Sequence, residues 1–107
     1  MTEIKFSDLA INDLKEIKEY IIEEFLDESA ANSVIKKILN SIKNLIDFPE
    51  SGSPLSSVVN INTNYRFLVS NNYKVFYKYD NNLIIIYRII YSGRDFMKIL
   101  FKNNIWP

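Results

Sequence analysis

The stretch that decides the fold lies in the second half of the chain. Residues 65–101 read YRFLVSNNYKVFYKYDNNLIIIYRIIYSGRDFMKILF. Three runs in it are dominated by β-branched and aromatic residues: 65–70, 73–79 and 83–91. The connections between them consist of Asn and Asp, which tolerate the positive φ that tight hairpin turns need. This pattern predicts an antiparallel sheet of three or four strands.

Two amphipathic helices are predicted before the sheet. Alternation in Glu3–Phe6 indicates a short strand, and Ser7 is suited to cap the helix that follows it. Apolar residues then recur at steps of three and four from Leu9 to Phe25, and again from Val34 to Ile46. We expect these two helices to form a hairpin, because the segment between them is short.

The whole chain is predicted to be one α+β domain. The second helix is expected to end at Pro49 and Gly52, and the polar segment 54–64 is predicted to be mainly loop. The predicted fold, over residues 1–107, is a short N-terminal strand followed by a helical hairpin that packs on the antiparallel sheet.

Composition excludes several kinds of site. A chain of 107 residues with 48% hydrophobic content suits one domain with one ordinary core. The absence of Cys excludes disulfides and thiolate metal sites, and the absence of His excludes His-based triads and metal clusters. We predict no cofactor and no metal. No apolar run approaches the roughly 18 residues of a membrane span, and Glu3 and Asp8 interrupt any signal peptide, so we expect a cytoplasmic protein without a membrane partner.

The net charge of zero conceals an asymmetry between the two halves. Residues 1–64 carry six lysines against eleven carboxylates, a net charge of −5, whereas residues 65–107 carry seven cations against two carboxylates, a net charge of +5. Every arginine lies in the second half. A cationic sheet region favours a polyanion or an acidic protein partner, and a solvated sheet face that pairs with the helices remains the alternative.

The order of these elements resembles the RelE/ParE superfamily of toxins from bacterial type II toxin–antitoxin systems, also described as plasmid-stabilisation proteins. The matching segments are Asp47–Gly52 after the second helix, the Tyr73–Tyr77 strand, and Ile90–Phe96, which reads Ile-Tyr-Ser-Gly-Arg-Asp-Phe. The resemblance covers residues 4–101. It implies a growth-inhibiting toxin that a small cognate antitoxin neutralises, and a target that is either DNA gyrase or mRNA on the translating ribosome.

The resemblance also implies candidate catalytic residues, if the chain is a nuclease. Arg66, Lys74 and Arg94 match basic residues that nuclease members place near the scissile phosphate. Arg94 would stabilise the phosphorane, and Lys74 would bind the phosphate or donate a proton. Lys in place of Arg at position 74 substitutes a point charge for a bidentate fork.

Two departures weaken the match to the nucleases. Leu68 stands where a second lysine is expected, and Leu100 and Phe101 are nearest to the position of a C-terminal proton donor. Loss of a general acid or base typically costs about 10²–10⁴ in rate. We therefore predict a ParE-like gyrase inhibitor. The alternatives are a RelE-like ribosome-dependent mRNA endonuclease and a degenerate antitoxin-binding module without toxicity.

Overall fold

The computed structural model describes residues 2–60 and 62–101, and the Trp106 tail lies outside them. Its helices are α1 (Asp8–Phe25), α2 (Glu28–Lys43) and α3 (Phe96–Phe101), with 3₁₀ turns at Asn44–Ile46 and Leu55–Ser57. Its strands are β1 (Glu3–Phe6), β2 (Ser53–Pro54), β3 (Arg66–Ser70), β4 (Tyr73–Asp80) and β5 (Leu83–Tyr91).

The predicted α+β class is confirmed, but the sheet has more strands than predicted and is mixed. The strand order is β1-β5-β4-β3-β2, and β1 runs parallel to β5 while the other pairs are antiparallel. The short β2 pairs with β3 through Ser53 and Pro54, at the border of the segment predicted to be loop. Alternation along a strand carries no information about its partner or direction, so the parallel pairing of β1 was not predictable from it.

The hairpin turns and the first helix cap form as predicted. Asn71, Asn81 and Asn82 adopt positive φ values of 54°, 50° and 62°. The hydroxyl of Ser7 accepts a hydrogen bond from the Ala10 N–H and donates one to the Tyr87 carbonyl, at 2.7 Å. The same residue therefore caps α1 and ties its start to β5.

A β-bulge in β5 changes which of its side chains face the helices. Tyr77 pairs with Ile86 and Phe76 pairs with Arg88, so one residue of β5, Tyr87, has no partner in β4. Before the bulge, Ile84 and Ile86 belong to the core under the helices. After it, Ile89 belongs to that core instead of Ile90.

Each face of the sheet carries its own core. One face packs against α1 and α2 around Ile38, Ile42, Leu45, Val75, Tyr77 and Ile84. The other face is covered by α3 and the 55–65 segment, around Leu55, Tyr65, Phe76, Ile90 and Leu100. The second core explains why β4 has buried residues on both faces.

Neither a membrane span nor a metal cluster appears in the part of the chain that the structure describes. No helix there is long and apolar enough to cross a bilayer. No group of three or more acidic side chains within residues 2–60 and 62–101 is arranged to hold a metal ion.

Candidate functional site

An open groove of about 880 Å³ lies between the helical hairpin and the ends of β4 and β5. The helices contribute its aliphatic wall, which consists of Ile17, Ile21, Ala30 and Val34. Tyrosines form the opposite side and the rim, and they are Tyr20, Tyr73 and Tyr91. The predicted apolar stripe of α1 therefore serves both the core and an open surface.

An ion pair between α1 and β5 forms the floor of this groove. Arg88 Nε lies 2.8 Å from Asp13 Oδ2, and Arg88 Nη2 lies 2.9 Å from Asp13 Oδ1. Asp13 Oδ2 also accepts a hydrogen bond from the Ile89 N–H at 2.8 Å. The hydrogen bonds that Arg88 donates to the Asp13 carboxylate raise the pKa of Arg88 above its usual value, and the pair is mostly shielded from solvent.

The rim tyrosines form an aromatic cluster. The rings of Tyr73 and Tyr91 meet edge to face with centroids 5.8 Å apart. Burial raises the pKa of the Tyr73 phenol, and the nearby Tyr91 and Tyr20 raise it further. Tyr20 and Tyr91 are 59% and 50% exposed, so the cluster presents apolar ring surface to solvent. Surfaces of this composition commonly contact other proteins.

Arg94 lies at the mouth of the groove. It follows β5 in a turn in which its N–H donates to the Tyr91 carbonyl at 3.0 Å, and its side chain is exposed. Within residues 2–60 and 62–101 the structure shows no carboxylate in salt-bridge distance of Arg94. The groove therefore combines a largely apolar lining, which also includes Glu16, with the guanidinium of Arg94 at its edge, and no described residue forms a salt bridge with that guanidinium.

The second predicted cation, Arg66, is held by backbone carbonyls. Arg66 Nη1 donates to the Gly52 carbonyl at 2.8 Å and to the Glu50 carbonyl at 3.2 Å. Arg66 pairs with Tyr77, four residues along β4 from Tyr73 at the groove. At about 3.3 Å per residue, this places Arg66 roughly 13 Å along the sheet from the groove end.

The third predicted cation, Lys74, lies on the other face of the sheet. Its ammonium stands 5.1 Å from the centroid of the Phe96 ring in α3. Its neighbours in β4 alternate as expected, with Val75 in the helix-side core and Phe76 in the opposite core. Arg66, which pairs with Tyr77, and Lys74 therefore lie on opposite faces of the sheet, and Arg94 precedes Phe96 by two residues.

The positions of the two departures are also occupied by packed side chains. Leu68 packs against the helix-side core, and Leu100 is fully buried in the opposite core. The side chain of Phe101 lies outside the described residues. Neither Leu68 nor Leu100 carries a group that transfers a proton.

Asp13 was not predicted from the sequence to be part of a site. Asp13 occupies a buried position of α1, as Ala10 and Ile21 do. A buried carboxylate needs a cation or hydrogen-bond donors beside it. An aspartate at an inward-facing position of the predicted helix could therefore have indicated a buried ion pair. Arg88, which lies in an apolar strand, is the matching signal on β5.

The same α+β architecture occurs in a solved structure. A chain from the "Chromosomal ParDE TA system from P. aeruginosa" superposes with a TM-score of 0.73 at 20% identity, covering 87% of this chain and 98% of that one. A structure of YafQ from E. coli strain BL21(DE3) matches with a TM-score of 0.46 at 18% identity, over 87% of this chain and 96% of that one. No curated protein sequence matches this chain.

The family model described as "ParE toxin of type II toxin-antitoxin system, parDE" matches residues 4–96. The chain belongs to this family of toxins. Membership confirms the predicted superfamily, and a toxin of this kind has a cognate antitoxin as its partner.

Proposed function

We propose that this toxin inhibits DNA gyrase by binding to it and does not cleave RNA. Cleavage of RNA without a metal requires a base at the 2′-hydroxyl, positive charge at the phosphorane and an acid at the leaving oxygen. These groups must lie within hydrogen-bond reach of one phosphodiester. The observation that carries the proposal is that Arg66 and Lys74 lie on opposite faces of the sheet.

The contacts of each candidate support this conclusion. Arg66 donates hydrogen bonds to two backbone carbonyls. Lys74 lies over the Phe96 ring on the face of the sheet opposite the groove. Arg94 is exposed at the groove mouth. A phosphodiester in contact with Arg66 would lie on the face of the sheet opposite Lys74.

The groove is proposed as the surface that the antitoxin covers. Its aliphatic and tyrosine lining suits the apolar face of an amphipathic helix. Arg94 at its edge would pair with a carboxylate of that helix. The Asp13–Arg88 pair in the floor is neutral as a whole, so it adds no unpaired charge for the partner to compensate.

Two assays on the purified toxin separate the proposed function from its alternatives. We expect inhibition of gyrase-catalysed supercoiling and no codon-specific cleavage of mRNA on translating ribosomes. Ribosomal cleavage that Arg94→Ala abolishes would favour the RelE-like alternative and contradict the proposal. A protein that binds its antitoxin but neither arrests growth nor acts in either assay would be the degenerate module.

A further inference from the structure

The tip of the helical hairpin exposes two large apolar residues. Phe25 ends α1 and is 67% exposed, and the next residue, Leu26, is 88% exposed. Leu26 is the most exposed of the large hydrophobic side chains in the described structure. Phe25 also lines the groove, but Leu26 does not.

The backbone at Leu26 is in a conformation that leucine adopts with strain. Its φ of 49° and ψ of 40° are left-handed, and glycine or asparagine adopts that region more easily. The cap is completed by the Leu26 N–H, which donates to the Ile22 carbonyl at 2.8 Å. The leucine side chain is therefore not needed for the turn, and its exposure gives it little packing within the chain. An exposed apolar side chain at a strained position indicates a role outside folding.

Carboxylates surround this tip. The residues that flank the Phe25-Leu26 pair include four exposed acids, Glu23, Glu24, Asp27 and Glu28, and no basic residue occurs between Lys18 and Lys36. None of the four forms a salt bridge in the part of the chain that the structure describes. An apolar centre with a charged rim is the arrangement of a protein-binding hot spot, and the sign of the rim selects the partner.

We infer that the Phe25-Leu26 tip inserts into an apolar socket, bordered by lysine or arginine, on the target protein of the toxin. The inference rests on the proposed function in taking the toxin to act by binding a protein. The tip is distinct from the antitoxin groove in its charge requirement. The groove presents Arg94 and selects a carboxylate, whereas the tip presents carboxylates and selects cations.

Leu26→Asn is the central test, because asparagine keeps the left-handed cap and removes the apolar side chain. We expect the variant to fold with an unchanged urea midpoint and to bind antitoxin within about twofold of the wild type. Its inhibition of gyrase should weaken at least tenfold, and growth arrest should weaken with it. Val58→Asn is the matched control, since Val58 is 57% exposed and lies away from the tip and the groove, and it should retain full activity.

A charge variant tests the rim independently. Glu23→Lys with Glu24→Lys should weaken gyrase inhibition and reduce its dependence on salt, because the net charge of the rim changes from −4 to zero and no longer attracts a basic socket. Inhibition by Leu26→Asn equal to that of the wild type would overturn the inference, as would loss of antitoxin binding with inhibition intact. If the wild type arrests growth without inhibiting gyrase, the proposed target is wrong. Loss of that arrest in Leu26→Asn would still support the tip as the target-binding surface, and retained arrest would overturn it.

Discussion

Asp13 and Arg88 lie 75 residues apart in the chain and form a bidentate ion pair that joins α1 to β5. Removal of one partner from such a pair leaves an uncompensated charge that is largely shielded from water. Asp13→Ala also removes the acceptor of the Ile89 N–H. We expect it to lower the free energy of unfolding by about 3 kcal/mol, near the lower end of the range for buried pairs because Arg88 is partly exposed.

Urea denaturation with circular dichroism measures this change. Glu19→Gln, on the exposed side of the same helix, is the control and should alter stability by less than about 0.5 kcal/mol. Replacement of both partners, Asp13→Leu with Arg88→Leu, should recover part of the loss because no charge is left unpaired. Equal stability of Asp13→Ala and the wild type would show that the pair is not buried in solution.

Gly52 and Tyr77 approach so closely that only glycine fits. The Gly52 N–H donates to Tyr77 Oη at 3.0 Å, and that hydroxyl donates to the Pro49 carbonyl at 2.9 Å. A Cβ at position 52 would lie 2.5 Å from Tyr77 Oη and 2.8 Å from the Phe67 carbonyl oxygen. Gly52→Ala should lower the free energy of unfolding by about 1–3 kcal/mol because the site becomes overpacked, and a lower thermal midpoint would show this.

Gly93→Ala is the control. The atoms nearest to its added Cβ belong to the exposed Tyr91 ring, which is free to move. A loss of stability as large as that of Gly52→Ala would contradict this explanation.

Three tyrosines make the protein sensitive to alkali. Burial is the largest cause of the raised pKa of Tyr65, Tyr73 and Tyr77. Below about pH 10, folded and unfolded chains both keep their phenol protons. Above it the unfolded chain releases protons that the folded protein retains, so the free energy of unfolding falls as pH rises.

Urea midpoints across the alkaline range, with phenolate absorbance recorded in parallel, measure this dependence. Midpoints should be steady up to about pH 9.5 and then decline. Tyr73→Phe should make the decline less steep. This result would assign the decline to the phenols and not to the lysines. A midpoint that rises through this range would show that the sign of the linkage is wrong.

The Asn81-Asn82 turn depends on positive φ at both residues. Alanine in this conformation is strained, whereas glycine is not. Asn81→Ala should therefore destabilise the protein by about 1 kcal/mol, and Asn81→Gly should be neutral or slightly stabilising. Asn40→Ala, at an exposed position of α2, should cause no loss because alanine favours helix. Chemical denaturation of the wild type and the three variants measures these differences in stability. Equal effects of Ala and Gly at position 81 would contradict the explanation by positive φ.

Obstruction of the groove should weaken the antitoxin complex. Ala30 is a partly buried residue of the groove wall, and Ala30→Arg would place a long charged side chain in the space proposed for the antitoxin helix. We expect at least a tenfold loss of affinity, about 1.4 kcal/mol, in calorimetry with the cognate antitoxin. Asn32→Arg adds the same group to an exposed position of the same helix outside the groove, and it should bind normally. Normal binding by Ala30→Arg would place the antitoxin elsewhere.

Local patterns were sufficient for most elements of the fold. The periodicity in Leu9–Phe25 predicted α1, which spans Asp8–Phe25, and the asparagine turns predicted the two hairpins. These features depend on residues that are neighbours in sequence. Phe25, at the end of this pattern, is 67% exposed and lines the groove.

Fewer features of the candidate site than of the fold could be predicted from the sequence. The three cations were predicted from a resemblance, and the opposite faces on which Arg66 and Lys74 lie depend on the register of β3 with β4. Strict alternation along β5 places Ile90 on the same side as Ile86, but the bulge at Tyr87 puts Ile89 there instead. One unpaired residue thus reverses the faces of all that follow in the strand.

The sequence by itself determined the helical hairpin, the three long strands, the charge asymmetry and the toxin superfamily, because each depends on composition or on short-range order. Tertiary structure alone decided that β1 joins β5 in parallel, that Asp13 meets Arg88, and that Arg66 and Lys74 lie on opposite faces of the sheet. These relationships depend on strand register, the bulge and the packing of side chains across long chain separations. The same packing energy can be satisfied by several pairings, so only the folded chain shows which one is formed.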